Sequence, residues 1–473
     1  MIFVHIPSYR DSQLIPTVID LIDRAVNPKG IHISICWQHD EDENLNSFLT
    51  SGFKSENSKI CDGNVIHHFS YNNAKIRLID FNFRESKGCG WARSQAQKLY
   101  NNEKYSLQID SHHRFSDRWD ESLIEMLETL REKYPKPVIT GYPPHFDPEN
   151  DPAGRQIDVL GVNFDLFSTT GVVAFKGVPI KDWRSRTYPL RARFISAGFI
   201  FSHGEFINEV PSDPSIYFSG EEITLSARAY THGYDLFHPN KIILWHYYIR
   251  KNFPRVWDDQ SAANKIAGRA SVAADELVGQ SYERTLKILT PNTLDSAEFE
   301  LYGLGNQRTI SEYERYSGLC FQTEGVLKDT LEGKEPGEQH KEVQQLDWKS
   351  KLLYQTDILI EFAASEKRLI EFDCDVFITF LDRNGAELFS KELSKNEAAK
   401  ILSGERVERR VSIFADPEDI PHEYVISFFN GDCRLLTLTK NLSENIKTYK
   451  KYNLSDGVNS RKVAPGFVYV AFQ

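Results

Sequence analysis

The chain has 473 residues, 40% hydrophobic and 26% charged, with 27 Gly and 20 Pro, a globular composition that excludes collagen-like and disordered classes. Its 30 Phe, 21 Tyr and 7 Trp can fill a large core, and the length accommodates two or three domains. With 56 Lys+Arg against 67 Asp+Glu the net charge is −11, which argues against sequence-independent nucleic-acid binding, because affinity for phosphate backbones comes mainly from Lys and Arg.

The chain begins MIFVHIPSYRD, without a basic segment leading into a long apolar run, so no signal peptide is expected. Nor does any stretch approach the ~20 apolar residues of a membrane span. The six cysteines (Cys36, Cys61, Cys89, Cys320, Cys374, Cys433) are scattered singly, which fits reduced, mostly buried thiols better than a disulfide framework or zinc site. A soluble, cytoplasmic protein is the expectation.

Met1 to Ile6 reads as a strand closed by the loop Pro7-Ser8-Tyr9-Arg10-Asp11. Leu14 to Val26 carries apolar residues at helical spacing, and Ile31 to Trp37 is a second strand ending in the acidic loop His39 to Glu43. Ile76 to Asp80 is a third strand, Gly88-Cys89-Gly90 opens a helix, and Tyr105 to Ile109 is a fourth strand. A helix over about Trp119 to Lys133 then leads into Pro137 to Thr140. This alternation predicts an open α/β sheet with helices on both faces, whose ligands collect beyond the carboxyl ends of the strands. The Ser8, Asp40 and Asp110 loops all fall there.

Residues 141–215 are loop-rich. Gly220 to His232 reads as one helix, Lys241 to Tyr248 as a strand, and about Asp259 to Leu286 as a further helix. Val326 to Ser350 is polar and charged, the best linker candidate. After it Ile370, Phe372, Cys374, Val376, Ile378 and Phe380 alternate, Asn384-Gly385 and Asn430-Gly431 are hairpin signals, and GFVYVAF is a last strand. The expected organisation is an α/β domain over 1–325, a linker over 326–350 and an all-β, sandwich-like domain over 351–473.

The strongest local signal is Leu107-Gln108-Ile109-Asp110-Ser111-His112, an apolar strand ending in Asp-x-His. Residues two apart in extended chain face one side, so Asp110 and His112 could grip one cation, and the mixed oxygen and nitrogen set suits Mn²⁺ better than Mg²⁺. Equally, both could decorate a loop, with Asp110 capping the next turn. Arg93 lies in the first turn of the helix opened by Gly88 and Gly90, where backbone N–H groups favour anions, and could add a bidentate phosphate or uracil contact or else be a solvated charge.

Several motifs occur in order: SYRD at 8–11, Gly90-Trp91-Ala92-Arg93, QIDSHHRF at 108–115, SAGFIFSHGEF at 196–206, GEEITLSARAYTHGYDLFHP at 220–239, Trp245-His246 and YGLGNQRTISEYERYSGL at 302–319. Together they resemble the glycosyltransferase family that includes the cytoplasmic polypeptide α-GlcNAc-transferases acting on hydroxyproline of a ubiquitin-ligase subunit. The Asp110-Ser111-His112 element also resembles the mucin-type polypeptide GalNAc-transferases. The match spans about residues 1–320 and leaves out the C-terminal strands.

The resemblance implies a GT-A fold, a UDP-sugar donor, a divalent cation (Mn²⁺, with Mg²⁺ as the alternative) bridging its diphosphate, and transfer with retention. It implies Asp110, His112 and His246 as metal ligands, although His246 beside Trp245, Tyr247 and Tyr248 could also be a packed strand residue. Pro7, Ser8, Tyr9, Arg10 and Asp11 follow the first strand, where this fold receives base and ribose, and Tyr9 could stack on uracil. Asp40 ends the second strand similarly, or is simply solvated, and Ser111 falls within the metal motif. Glu221 and Glu222 match the family's acidic motif and would hold a donor-sugar hydroxyl or the acceptor. Ser219-Gly220-Glu221-Glu222 also fits a capping box with Ser219 as N-cap, a structural account of Glu222. Ala197-Gly198, read as part of an apolar strand, suggests close approach of ligand to backbone or packing under a helix. The reading is a metal-dependent retaining glycosyltransferase moving a sugar, first of all GlcNAc, to a hydroxyl of protein Ser, Thr or hydroxyproline or of a glycan. The alternatives are a non-catalytic nucleotide-sugar or glycan binder and a metal-dependent phosphoester hydrolase.

Overall fold

The structure is a computed structural model that describes residues 1–249, 253–270, 272–290, 299–337, 348–362, 375–393, 407–416, 421–430, 433–441 and 467–471. The chain divides into one unit of residues 1–165, 172–318 and 329–344 and a second of 166–171, 319–328 and 345–473.

The first unit is built on a ten-stranded mixed sheet. Its strands are β1 (Ile2–Tyr9), β2 (Ile31–His39), β3 (Lys54–Cys61), β4 (Asn64–Tyr71), β5 (Ala74–Asn82), β6 (Tyr105–Ile109), β8 (Pro137–Thr140), β11 (Leu190–Arg191), β12 (Phe199–His203) and β13 (Asp235–His238). Two short pairs, β7 (His113–Phe115) with β14 (Leu244–His246) and β9 (Leu160–Phe167) with β10 (Val173–Pro179), lie outside it. The spatial order is β11-β13-β8-β12-β6-β1-β2-β5-β4-β3. β6, β1, β2 and β5 run parallel, and β12 breaks the parallel run by pairing antiparallel with both β6 and β8.

The parallel strands are near-continuous apolar runs because they are covered on both faces. On one side Val4, Ile6, Ile33, Ile35 and Leu107 pack with α1 (Leu14–Asp23) and α4 (Trp119–Arg131) through Val18, Leu21, Trp119 and Leu127. On the other, Cys36, Ile79 and Phe81 meet Ala92 and Ala96 of α3 (Cys89–Gln97), where small residues let the helix approach. The α/β class expected of this region is therefore the observed one.

The differences have physical reasons. β1 runs on through Pro7-Ser8-Tyr9, because β2 pairs it to Tyr9↔Gln38 while β6 pairs only up to His5, leaving an open edge where Pro is tolerated. The β3–β4 hairpin carries no apolar alternation on its outer strand, all eight residues of which are exposed. The segment expected as one helix from Asp259 is three: Val256–Asp259, Ala262–Ile266 with Ser261 capping it, and Ala274–Leu289. The expected strand Lys241–Tyr248 is ordered as β14 over three residues only. No helix among the described residues is long and apolar enough to cross a membrane.

The second unit contains two sheets. One runs Leu319–Cys320, Gly325–Leu327, Leu352–Phe362, Val407–Ala415, with Phe467–Ala471 added parallel to Leu352–Phe362; the other runs Glu387–Glu392, Asp375–Leu381, Glu423–Asn430, Cys433–Asn441. The stretch expected as a linker opens with the strand Gly325–Leu327, whose Val326 is fully buried, and the short helix Lys328–Leu331. Asn384-Gly385 does turn a hairpin, with the Asp382 carboxylate accepting from the N–H groups of Asn384 and Ala386. Ile370, Phe372, Cys374 and Gly431 lie outside the described residues.

Candidate active site

β6 ends at Ile109, and the next residues meet β14, delivered from far along the chain by the β7–β14 pair (His246↔His113). Asp110, His112 and His246 thereby each present a donor atom, all within 4.8 Å of one another. His246 Nε2 lies 3.3 Å from Asp110 Oδ2, and both histidines are at least nine-tenths buried. His112 Nδ1 is 2.7 Å from Asp11 Oδ2, which fixes the ring and leaves Nε2 for a ligand bond. A carboxylate behind a histidine is the arrangement that orients imidazole metal ligands. Ser111 Oγ donates to the same Asp11 oxygen at 2.6 Å, so its side chain supports His112 and is not free for a ligand.

Asp110 is ionised as a ligand should be. Burial alone would push its pKa up, but the charge of Arg93 and the neighbouring His246 and His112 hold it well below the usual carboxylate range. Gly198 keeps the space beside it clear, because a Cβ there would sit 3.0 Å from Asp110 Oδ2. Ala197-Gly198 is a turn just before β12 rather than strand. One carboxylate and two imidazoles, one of them backed by Asp11, form a donor set that fits a divalent ion tolerant of nitrogen, Mn²⁺ before Mg²⁺.

Arg93 is 2% exposed, so it is no solvated charge. It lies in the second turn of α3 and donates from Nη2 to Asp110 Oδ1 at 2.8 Å, while Nε pairs with Glu221 Oε1 at 3.0 Å. Its guanidinium thus binds two carboxylates, and the phosphate contact expected of it would have to compete with them. Burial outweighs Arg93 at Glu221, whose pKa is raised.

Glu222 does not cap its own helix. α6 (Glu221–Thr231) has Gly220 as N-cap at φ 97°, a left-handed conformation that takes Ser219 out of capping position. The Glu222 carboxylate instead accepts from the Ala197 N–H at 3.0 Å and from the Tyr142 hydroxyl at 2.7 Å. Burial pushes its pKa up to about 7, with Glu221 adding to the rise and the two hydrogen bonds opposing it.

That shift has a stability consequence. A carboxyl whose folded pKa lies above its ordinary 4.5 favours folding fully below pH 4.5 and loses this as pH rises through 7. Glu222 is only partly buried, so the effect is discounted to about 2 kcal/mol. Denaturant unfolding of Glu222→Gln and wild type at pH 4.5 and pH 8 should show the variant gaining about 2 kcal/mol relative to wild type between the two. A constant difference would contradict the assignment.

At the end of β1, Arg10 pairs with Asp40 and, at 2.8 Å, with Asp259 Oδ2, its guanidinium carbon 4.6 Å from the Phe83 ring centroid. The Tyr9 hydroxyl donates to the same Asp259 oxygen at 2.8 Å. Asp40, expected to be simply solvated or a ligand contact, is thus held by Arg10. Pro7 and Ser8 lie inside β1, and Ser8 is buried. Sequence reading missed Asp11 as an orienting group, Tyr142 and Asp259, since each acts through partners at least 80 residues away. The SYRD string, ending in Asp11, was the one available signal.

The large mixed α/β sheet resembles the GT-A glycosyltransferase fold. The model of the family "GlcNAc: Glycosyltransferase (GlcNAc)" matches residues 1–323, and the chain belongs to that family. No curated protein matches the sequence significantly. Among solved structures the chain is similar to GalNAc-T7 crystallised with UDP, GalNAc and Mn²⁺, at 16% identity and TM-score 0.40, covering 64% of this chain and 54% of that one. It is also similar to glucosyl-3-phosphoglycerate synthase from Mycobacterium tuberculosis in complex with Mn²⁺, UDP and glucosyl-3-phosphoglycerate, at 13% identity and TM-score 0.29, covering 57% and 80%. The chain thus spans about half the length of the GalNAc-T7 chain.

Proposed function

We propose that the protein is a metal-dependent retaining glycosyltransferase that moves a hexosyl group, GlcNAc being the first to test, from a UDP-sugar to a hydroxyl of a protein or glycan. The observation that carries this is the convergence of Asp110, His112 and His246, with His112 held by Asp11, at the carboxyl end of β6. Family membership supports it independently. The cytoplasm, where reduced thiols persist, suits the chain's dispersed cysteines, and Cys36, Cys61 and Cys89 form no disulfide.

Asp110, His112 and His246 would hold the divalent cation, which when bound supplies Lewis-acid stabilisation of the departing diphosphate. Arg93 holds Asp110 and Glu221 at fixed positions, so the ligand carboxylate needs no reorganisation during reaction. Family membership supports a role for Tyr9, Arg10 and Asp40 along the base and ribose of the donor. Glu222, gripped by Tyr142 and the Ala197 N–H, is positioned to bond a hydroxyl of the donor sugar or the acceptor. Asp110 and Glu221 are held by Arg93, Glu222 by Tyr142 and Asp40 by Arg10, which suits a front-face reaction. The anomeric C–O bond to phosphate breaks, the acceptor oxygen bonds to the same face, and its proton passes to the departing phosphate oxygen. A two-metal phosphoesterase reading is disfavoured, because this is the single such group of metal donors among the described residues.

The test is UDP release from UDP-GlcNAc, UDP-GalNAc, UDP-Glc and UDP-Gal, with Mn²⁺ and with EDTA. Release from one sugar above the others, at least tenfold higher with Mn²⁺, is expected. Absence of release from all four would leave a binder, and sugar-independent phosphoester cleavage would favour the hydrolase.

A further inference from the structure

His113 follows the ligand His112 directly and takes no part in the donor group of Asp110, His112 and His246. It is fully buried, and the β7–β14 ladder sets it opposite His246. Residues opposed in an antiparallel pair carry their side chains on one face with Cβ atoms about 4.5–5.5 Å apart, so the two imidazoles are bound to meet. Their ring centroids lie 4.8 Å apart, at an interplanar angle of 69°. The His112 ring is parallel to that of His113, at 0° and 6.2 Å, and meets His246 at 4.6 Å and 68°. Two parallel imidazoles, one a ligand and one not, thus meet His246 at nearly the same angle.

The His113 ring is itself anchored. Its Nδ1 lies 2.9 Å from the main-chain oxygen of Trp245, and a carbonyl only accepts, so Nδ1 carries the proton and donates. The His113 N–H donates to Thr17 Oγ1 at 2.9 Å, and its carbonyl oxygen accepts from Arg114 Nη1 at 2.8 Å. Nε2 is buried with no partner, so the bond to Trp245 alone sets the ring plane. The main chain of His246 is held separately, its N–H donating to the Pro144 oxygen at 2.9 Å and its oxygen accepting from the Phe146 N–H at 3.2 Å. What is left to fix is the rotation of the His246 ring, the task that Asp11 performs for His112 by a hydrogen bond. Tyr248 also touches the His246 ring, at 4.1 Å, but from a half-exposed position.

We infer that His113 is a positioning residue that holds the His246 imidazole in place for the cation. This rests on the metal-dependent reading above and deepens it by naming what presents the third ligand. An imidazole already held before the metal arrives loses little rotational freedom on binding it, whereas a loose one must be immobilised, which weakens binding. His113 acts only through His246.

The test is Mn²⁺ binding to the full chain without nucleotide, read from the electron paramagnetic resonance of the free ion. His113→Ala should weaken binding by about tenfold or more, the usual cost of losing an orienting partner of a metal ligand. His113→Phe, which keeps a ring without the donor, should recover part of that loss. On a His246→Ala background His113→Ala should cost nothing further, because the residue it acts through is gone. Where Ala disturbs folding, His113→Leu, which fills the space without ring or donor, is read in the same way. Wild-type affinity in a folded variant lacking the ring, no recovery in a folded Phe variant, or the same loss on both backgrounds overturns the role of His113 and leaves the metal reading intact. Wild-type protein that binds no Mn²⁺ overturns the metal reading and this inference with it.

Discussion

Asp110→Asn is expected to lower UDP-sugar turnover by about 10³-fold or more in a protein that still folds. The substitution keeps an oxygen to accept from Arg93 Nη2, so the local hydrogen bond survives. What it removes is the negative charge, and with it the one anionic ligand of the group formed with His112 and His246. Removing a fixed electrostatic contact to a developing charge typically costs 10²–10³-fold in rate, and losing the cation itself costs more. Stability should fall only modestly, since Arg93 keeps Glu221 as counter-charge. The checks are UDP release against Mn²⁺ concentration and circular dichroism of the same preparation. A well-folded Asn variant with wild-type turnover and unchanged Mn²⁺ dependence would remove Asp110 from the metal site and the proposed mechanism with it.

The legible parts of this protein are those where local pattern and burial agree. Tyr105 to Ile109 and Pro137 to Thr140 read correctly to the residue, because both are fully buried short apolar runs bounded by breakers. The Lys54–Cys61 strand was invisible for the opposite reason: it sits on the sheet edge, wholly exposed, and its polar residues follow no period. The long helix expected from Asp259 failed because apolar spacing alone does not register Gly268, whose φ of 69° ends regular structure between two shorter helices.

The site divides in the same way. Asp110 and His112 announce themselves by a two-residue spacing at a strand end, and family resemblance brings in His246. The groups that make them work are long-range: Asp11 orients His112 across 101 positions, and Tyr142 holds Glu222 across 80. Glu222 shows how a local rule misleads. Ser219-x-x-Glu222 satisfies a capping pattern, but Gly220 takes the cap in a left-handed conformation and frees the carboxylate to reach Ala197 and Tyr142. A glycine inside a capping string is a warning that the chain turns there.

Arg93 is where fold and chemistry are most tightly joined, and Arg93→Met should be the most destabilising single change at the site. The side chain is buried and pairs with Asp110 and Glu221 at once. Deleting one partner of a buried ion pair costs about 3–5 kcal/mol, because the charge left behind has no compensation. Here two carboxylates are left, 22% and 8% exposed at their side chains. Without the guanidinium both would titrate higher in the folded state than in the unfolded chain, so the folded state would bind more protons. Stability of the variant must then fall as pH rises through those raised values. Its deficit, measured by denaturant unfolding in EDTA, should therefore be larger at pH 8 than at pH 5. Adding Glu221→Gln to Arg93→Met removes one of the stranded charges and should recover part of the loss at pH 8, a non-additivity that lost packing alone does not produce. A deficit independent of pH, with no recovery in the double variant, would mean that Arg93 holds the fold by its alkyl chain and that Asp110 owes its low pKa to other groups.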